Sequence, residues 1–282
     1  MRIFLFCLTL LMAPVITHAA PDFQIPTIKP AMNAHYQFHQ QDLNFEGKAY
    51  RLFIAEPKKP AHATLYVLDG NAQFPLAVNA VDPNLPLPLI IGVGYVSDKA
   101  YAIEQRTRDY TFPATGEAFK QGGQAVNFLR FFANQVKPYV VEHYGKTTPE
   151  YFFGHSFGGL FGLYVLFHQP TLFDYYSIAS PSLWWGHGEF LKREKPWVSL
   201  PPKSVWVSLG EFEKFPERDP EMTPAQLEKI QQRQKMAWMN AEQLATELQQ
   251  QGVPTTFQLI TGKNHGAVIP EAIAATMQQI QR

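Results

Sequence analysis

The stretch YFFGHSFGGLFGLYVLF, residues 151–167, limits what this chain can fold into more than any other. EYFFGH reads as a strand and GGLFGLYVLFHQP as a helix, so a strand passes through a glycine-rich turn directly into a helix. The segments around that junction repeat the alternation. ATLYVLDG (63–70) and PLIIGVGY (88–95) are short, nearly continuous apolar runs, as strands buried on both faces should be. FDYYSIAS, KSVWVSLG and TTFQLI read as further strands. GGQAVNFLRFFANQVKPYVVEHYG (122–145), the polar-faced region 223–252 and IPEAIAATMQQIQR read as helical, with Pro138 a kink or boundary in the first. Alternating strands and helices predict an α/β domain with a mostly parallel central sheet and helices on both faces. Upstream, HYQFHQQDLNFEGKAYRLFIAEP alternates apolar and polar residues around Phe45-Glu46-Gly47, which predicts an antiparallel hairpin.

A chain of 282 residues suffices for one large domain, assigned to 34–282, with a Pro-rich lead-in at 20–33. Residues 1–19 have the grammar of a secretory signal peptide: Arg2, an apolar run from Ile3 to about Ile16, then small residues that allow cleavage after Ala19. That run is shorter than the roughly 20 residues a spanning helix needs. The only cysteine, Cys7, lies inside it, so the exported chain is expected to carry no disulfide and to rely on a large core. No later apolar run is long enough to cross a bilayer, so the exported chain is expected not to span a membrane, with the periplasm as its location and secretion as the alternative. Net charge is zero and the pI is near 7.1, so a nucleic-acid-binding role has no electrostatic support.

Ser156 is either a bystander in a glycine turn or a nucleophile. Gly154-His155-Ser156-Phe157-Gly158 fits G-x-S-x-G, and its place between a strand and a helix is the context in which that motif presents a nucleophile. A serine needs a base, and the chain order for this arrangement is Ser, acid, His. His265, in LITGKNHGAVIP, stands between the last strand and the last helix, where the base belongs. His155 is expected to pack behind the sheet, and His187, after SLWWG, to line the site. The acid falls in GEFEKFPERD, after VWVSLG, with Glu213 the first choice and Glu211 the alternative. The oxyanion hole calls for the backbone N–H of Phe157 and one from the loop after TLYVLDG, Asn71 or Gly70, with Asn71 preferred. Hydrolysis by such a set requires no metal or organic cofactor.

LYVLDGNAQF, IIGVGY, RTRDYTFP, GGQAVNFLRFF, GHSFGGLFGLYVLF, SPSLWW, GEFE and GKNHG occur in this order. Together they resemble the putative-esterase group of α/β-hydrolases, in particular its branch of trilactone siderophore esterases acting on enterobactin, salmochelin or bacillibactin. The resemblance covers about residues 35–282. It implies an α/β-hydrolase fold, Ser156 as nucleophile, His265 as base, and oxyanion donors near Asn71 and at Phe157. It leaves the acid less secure as a third member, and its branch includes periplasmic enzymes. The implied partner is a small-molecule ester. A catecholate trilactone is aromatic, and anionic when iron-loaded, so its site calls for aromatic faces and cations. Arg106 and Arg108 in EQRTRDY and Trp184 and Trp185 in SLWW are the candidates, with Lys192, Arg193 and Lys195 nearby. The competing readings are arginines that pair with Asp109 to brace a loop, tryptophans that belong to the core, and a 223–252 region that is a surface helix or a lid. A broad acyl esterase and a non-catalytic binding protein are the alternative functions.

Overall fold

The computed structural model describes residues 24–282, so the expected signal peptide at 1–19, the expected cleavage after Ala19 and residues 20–23 lie outside the described residues. The elements run β1 (Tyr36–Phe45), β2 (Lys48–Pro57), β3 (Thr64–Leu68), α1 (Gly70–Asn79), β4 (Leu89–Tyr95), α2 (Ile103–Tyr110), α3 (Ala125–Phe131) and α4 (Lys137–Tyr144). They continue β5 (Glu150–His155), α5 (Phe157–His168), β6 (Tyr175–Ala179), β7 (Ser204–Gly210), α6 (Glu211–Lys214), α7 (Pro224–Met236), α8 (Ala241–Gln250), β8 (Thr255–Ile260) and α9 (Val268–Ile280).

All eight strands form one sheet in the order β1-β2-β4-β3-β5-β6-β7-β8. The β1–β2 hairpin pairs from Tyr36↔Pro57 to Phe45↔Lys48, and β2 joins β4 antiparallel. Every other pairing is parallel, as the alternating pattern predicts. β3 and β4 are buried at every residue, which accounts for their unbroken apolar sequences. Successive side chains of a strand point to opposite faces. Phe152 of β5 accordingly joins the layer with Tyr66, Phe161 and Leu244, while Phe153 joins the layer with Val67, Phe74 and Ile273. The sheet is therefore sandwiched between α1 and α9 on one face and α3, α4, α5 and α8 on the other.

Two predicted helices differ from expectation. The helix at 122–145 is interrupted by a π-helical turn, Phe132–Val136, immediately before Pro138. A proline inside a helix lacks an N–H and its ring crowds the carbonyl four residues back, and a wider turn accommodates both. The polar region 223–252 is two helices, α7 and α8, because the chain extends at Ala237 and Asn240 then caps a new start, its side chain accepting from Gln243 N–H. No residue of α7 is buried. The described part of the lead-in packs along α1: Lys29 N donates to Asn79 Oδ1 at 2.8 Å and Asn79 Nδ2 to Thr27 O at 2.8 Å. Among the described residues no helix is long and apolar enough to cross a membrane.

Candidate active site

The carboxyl ends of parallel strands are where open α/β sheets place their sites. Here β3, β5 and β7 run into α1, α5 and α6 at that edge, and β8 into the loop before α9. Ser156 sits at the β5–α5 junction with φ 60° and ψ −117°, a backbone conformation that a residue with a side chain rarely adopts. Neighbouring contacts hold it there. Its N–H donates to Ala179 O at 3.0 Å, and its carbonyl accepts from Leu160 N at 3.0 Å and Ser182 N at 3.1 Å. Gly154 is required by close approach, since a Cβ there would lie 2.3 Å from Gly158 O.

A continuous hydrogen-bonded chain starts at this serine. Ser156 Oγ lies 3.0 Å from His265 Nε2, and His265 Nδ1 lies 2.5 Å from Glu213 Oε2. The second carboxylate oxygen, Oε1, accepts from Ser180 Oγ at 2.5 Å and from Gly210 N at 3.0 Å. Burial raises the Glu213 pKa, but His265, Ser180 and the Gly210 N–H outweigh it and hold the carboxyl below its usual range. An ionised Glu213 accepts a hydrogen bond from Nδ1–H and leaves Nε2 free to accept from Ser156. Of the two acids, Glu213 reaches the imidazole. Glu211 instead accepts from Gly262 N at 2.8 Å, bracing the loop that carries His265. That loop also presses on the end of β7, where a Cβ on Gly210 would stand 2.4 Å from Lys263 O.

His155 is buried on the α1/α9 face of the sheet. It lies against His265, the two ring centroids 4.5 Å apart. Tyr151 and Phe153 of the same strand face the α1/α9 layer, and period-two alternation sends His155 to that side, where His265 precedes α9. Its side chain is buried, and among the described residues Nε2 has no hydrogen-bond partner. Burial first, then the neighbouring His265 and Arg106, push its pKa well below the usual value and keep the ring neutral.

Asn71 is the second residue of α1 and Phe157 the first of α5, so both backbone N–H groups belong to helix first turns, which lack partners within the helix. The Asn71 side chain is otherwise engaged. Oδ1 accepts from Tyr95 N at 2.9 Å, and Nδ2 donates to Tyr95 O and Ser97 O, both at 3.0 Å. It fixes the exit of β4 and leaves the backbone N–H as its possible contribution to an oxyanion hole. Beside α1 a cavity of ≈ 620 Å³ touches Asn71, but its walls are Phe38, Phe53, Phe74 and the lead-in, away from Ser156.

The expected ligand contacts sort differently. Arg106 and Arg108 lie in a helix, α2, rather than a loop. Arg106 is buried and forms a two-pronged pair with Asp69 at 2.8 and 2.9 Å. Arg108 pairs with Asp109 through two bonds of 2.7 Å. The buried Arg106 guanidinium is thereby withheld from an incoming anion, whereas Arg108 keeps a partly exposed side chain with only Nε and Nη2 on Asp109. Trp185 is core: it is buried and its Nε1 donates to Phe112 O at 2.9 Å. Trp184 is half-buried at the rim, 5.8 Å from the Phe157 ring, and His187 packs edge-on against Phe119. Lys192 pairs with Glu189 and Lys195 with Glu247. Arg193 stacks on Phe167 and Phe190, towards the far end of α5.

Three polar residues that the sequence reading passed over also stand here. Ser180 holds Glu213, and Ser182 Oγ lies 3.2 Å from Ser156 Oγ. Their signal was present in SPSLWW, a segment following a strand on the site's edge. Arg233 of α7 places its guanidinium carbon 4.6 Å from the Trp184 ring centroid, and nothing in the local sequence of a polar helix marks it out.

A half-buried serine at a strand–helix elbow, hydrogen-bonded through His265 to Glu213 at the edge of a mostly parallel sheet, fits an α/β-hydrolase-like fold, and comparison with known proteins agrees. The family described as Putative esterase matches residues 53–252, most of the chain, and the chain belongs to it. Among curated relatives, the chain is similar to the ferri-bacillibactin esterase BesA of Bacillus subtilis, 27% identical over 83% of this chain and 85% of that protein. It is also similar to the siderophore triacetylfusarinine C esterase of Aspergillus fumigatus, 32% identical over 68% of this chain and 73% of the relative. Among solved structures it resembles the siderophore hydrolase EstA from Aspergillus nidulans, with a TM-score of 0.77 and 25% identity, covering 91% of this chain and 97% of EstA. The chain is thus a hydrolase of ester bonds.

Proposed function

We propose that this chain hydrolyses the carboxylic esters of a siderophore through an acyl-enzyme on Ser156. The observation that carries this reading is the relay Ser156–His265–Glu213, with spacings of 3.0 and 2.5 Å at the carboxyl edge of the sheet. His265 Nε2 takes the Ser156 proton as Oγ attacks the ester carbonyl, and the imidazolium that forms is stabilised by Glu213. The N–H groups of Asn71 and Phe157 receive the oxyanion. The C–O bond to the alcohol breaks, the proton on His265 passes to the leaving alkoxide, and the acyl group remains on Ser156. Water then gives its proton to His265 and attacks the acyl carbonyl, releasing the acid and restoring Ser156.

The substrate class rests on the relatives, whose names specify bacillibactin and triacetylfusarinine C, both siderophores. The leader at residues 1–19 supports action in the periplasm, which fractionation of expressing cells tests directly. The substrate test compares iron-free and iron-loaded catecholate trilactones with short p-nitrophenyl esters. A kcat/KM for a trilactone well above that for the p-nitrophenyl esters is expected. Preference for the p-nitrophenyl esters would instead mark a broad acyl esterase.

A further inference from the structure

α7 is anchored beside the site rather than adrift on the surface. Gln234 Nε2 donates to the backbone carbonyl of Glu213 at 2.9 Å, which ties the helix to the acid of the relay. Met236 packs on the cluster of Phe112, Phe119, Leu160 and Trp185. One residue before the first anchor, Arg233 lies over Trp184. Trp184 in turn stands 5.8 Å from the ring of Phe157, and it is two residues from Ser182, whose N–H and hydroxyl both reach Ser156.

Arg233 differs in its electrostatic state from the other cations considered above as ligand contacts, Arg193 apart, which is exposed and, among the described residues, also lacks a carboxylate. Among the described residues, Arg106, Arg108, Lys192 and Lys195 each have a carboxylate partner, whereas no carboxylate pairs with Arg233. The side chain is only half-exposed, and burial pulls its guanidinium below its usual pKa without a neighbouring anion to oppose the effect. A cation partly withdrawn from water without a counter-ion is costly, and an aromatic face offsets only part of that cost. An anion arriving beside it would supply the rest through paired N–H donors. The adjacent Trp184 face suits a flat, aromatic group.

We propose that Arg233 and Trp184 form a clamp for an anionic aromatic group of the substrate, Arg233 receiving the negative charge and Trp184 the ring. The clamp sets specificity rather than chemistry, because it touches the bound arm and not the ester carbonyl. It rests on the esterase reading only in naming that group as part of the substrate.

Calorimetric titration with 2-naphthoate and with its neutral counterpart 2-naphthamide tests the clamp without any turnover. Wild-type protein is expected to bind naphthoate more tightly than naphthamide. Arg233→Gln should weaken naphthoate about tenfold or more, the scale of a charged hydrogen bond, and leave naphthamide unchanged. Arg233→Lys, which keeps charge but not the planar fork, should fall between the two. Equal binding of the two ligands to wild type, no binding of either, or equal loss of both in Arg233→Gln would overturn the proposal and make the pair a packing clasp. A chain that binds naphthoate through Arg233 yet cleaves no siderophore ester would keep the clamp and overturn the substrate assigned above.

Discussion

The strand edge and the α7 rim meet at Phe157 and treat charge in opposite ways. On the strand edge, Arg106 lies 5.5 Å from the Phe157 ring, buried, with both prongs on Asp69. Across the rim, Arg233 reaches the same neighbourhood through Trp184, half-exposed and without a carboxylate among the described residues. Asp69 is itself the left-handed residue (φ 50°) that starts α1, the helix whose first turn holds Asn71. The Arg106–Asp69 pair therefore fixes the backbone that the proposed mechanism assigns to the oxyanion, whereas the Arg233–Trp184 pair is left open. An arginine near a site is a ligand contact only where no carboxylate has claimed it.

Substitutions sharpen that contrast in order of expected size. Ser156→Ala should lower kcat by about 10⁵–10⁶-fold while circular dichroism and the unfolding midpoint stay close to wild type. Glu213→Gln should lower kcat by roughly 10⁴-fold, since the imidazole loses the partner that sets its tautomer. Arg106→Met leaves Asp69 charged, buried and unpaired, and should cost about 3–5 kcal/mol of stability in urea unfolding. Adding Asp69→Asn should return much of that, because the stranded charge is removed. Arg233→Gln, on an exposed helix, should change stability by less than about 0.5 kcal/mol. If the two arginine variants lose similar stability, the distinction between brace and open clamp fails.

His155 adds a pH test of the strand edge. Its folded pKa is depressed well below the usual 6.5, so the unfolded chain takes up a proton below that pH and the folded chain does not. Stability from this residue is therefore complete above pH 6.5 and is lost as pH falls. The expected slope approaches about 1.4 kcal/mol per pH unit. Urea midpoints between pH 7 and 5.5 should show that loss in wild type, and His155→Gln should flatten it. An unchanged slope in the variant would mean that the proton goes elsewhere.

Much of this was legible in the sequence because it depends on local pattern. Continuous apolar runs marked β3 and β4, and the strand–glycine–helix junction marked the Ser156 turn. His265 was findable from its place after the last strand and before the last helix. Glu213 could be ranked above Glu211 but not separated from it, because only the fold of α6 turns one carboxylate to His265 and the other to Gly262. The partners of Arg106 and Arg108 were less accessible. Asp109 adjoins Arg108 in sequence, but Asp69 lies 37 residues from Arg106 and is brought to it only by the register of β3 and α2. Arg233 was invisible for the same reason, being one of three cations on a polar helix until Trp184 is placed beneath it.

The central claim is that Ser156 is an activated nucleophile, and a fluorophosphonate probe followed by peptide mass mapping tests it most directly. Catalytic activation requires His265 to draw the proton from Oγ across the 3.0 Å contact, and only a serine so activated reacts readily. One adduct on the peptide containing Ser156, with loss of esterase activity in proportion, is the expected result, and Ser156→Ala and His265→Ala should both abolish labelling. Full esterase activity in an unlabelled protein, or labelling at another serine with Ser156 untouched, would contradict the account.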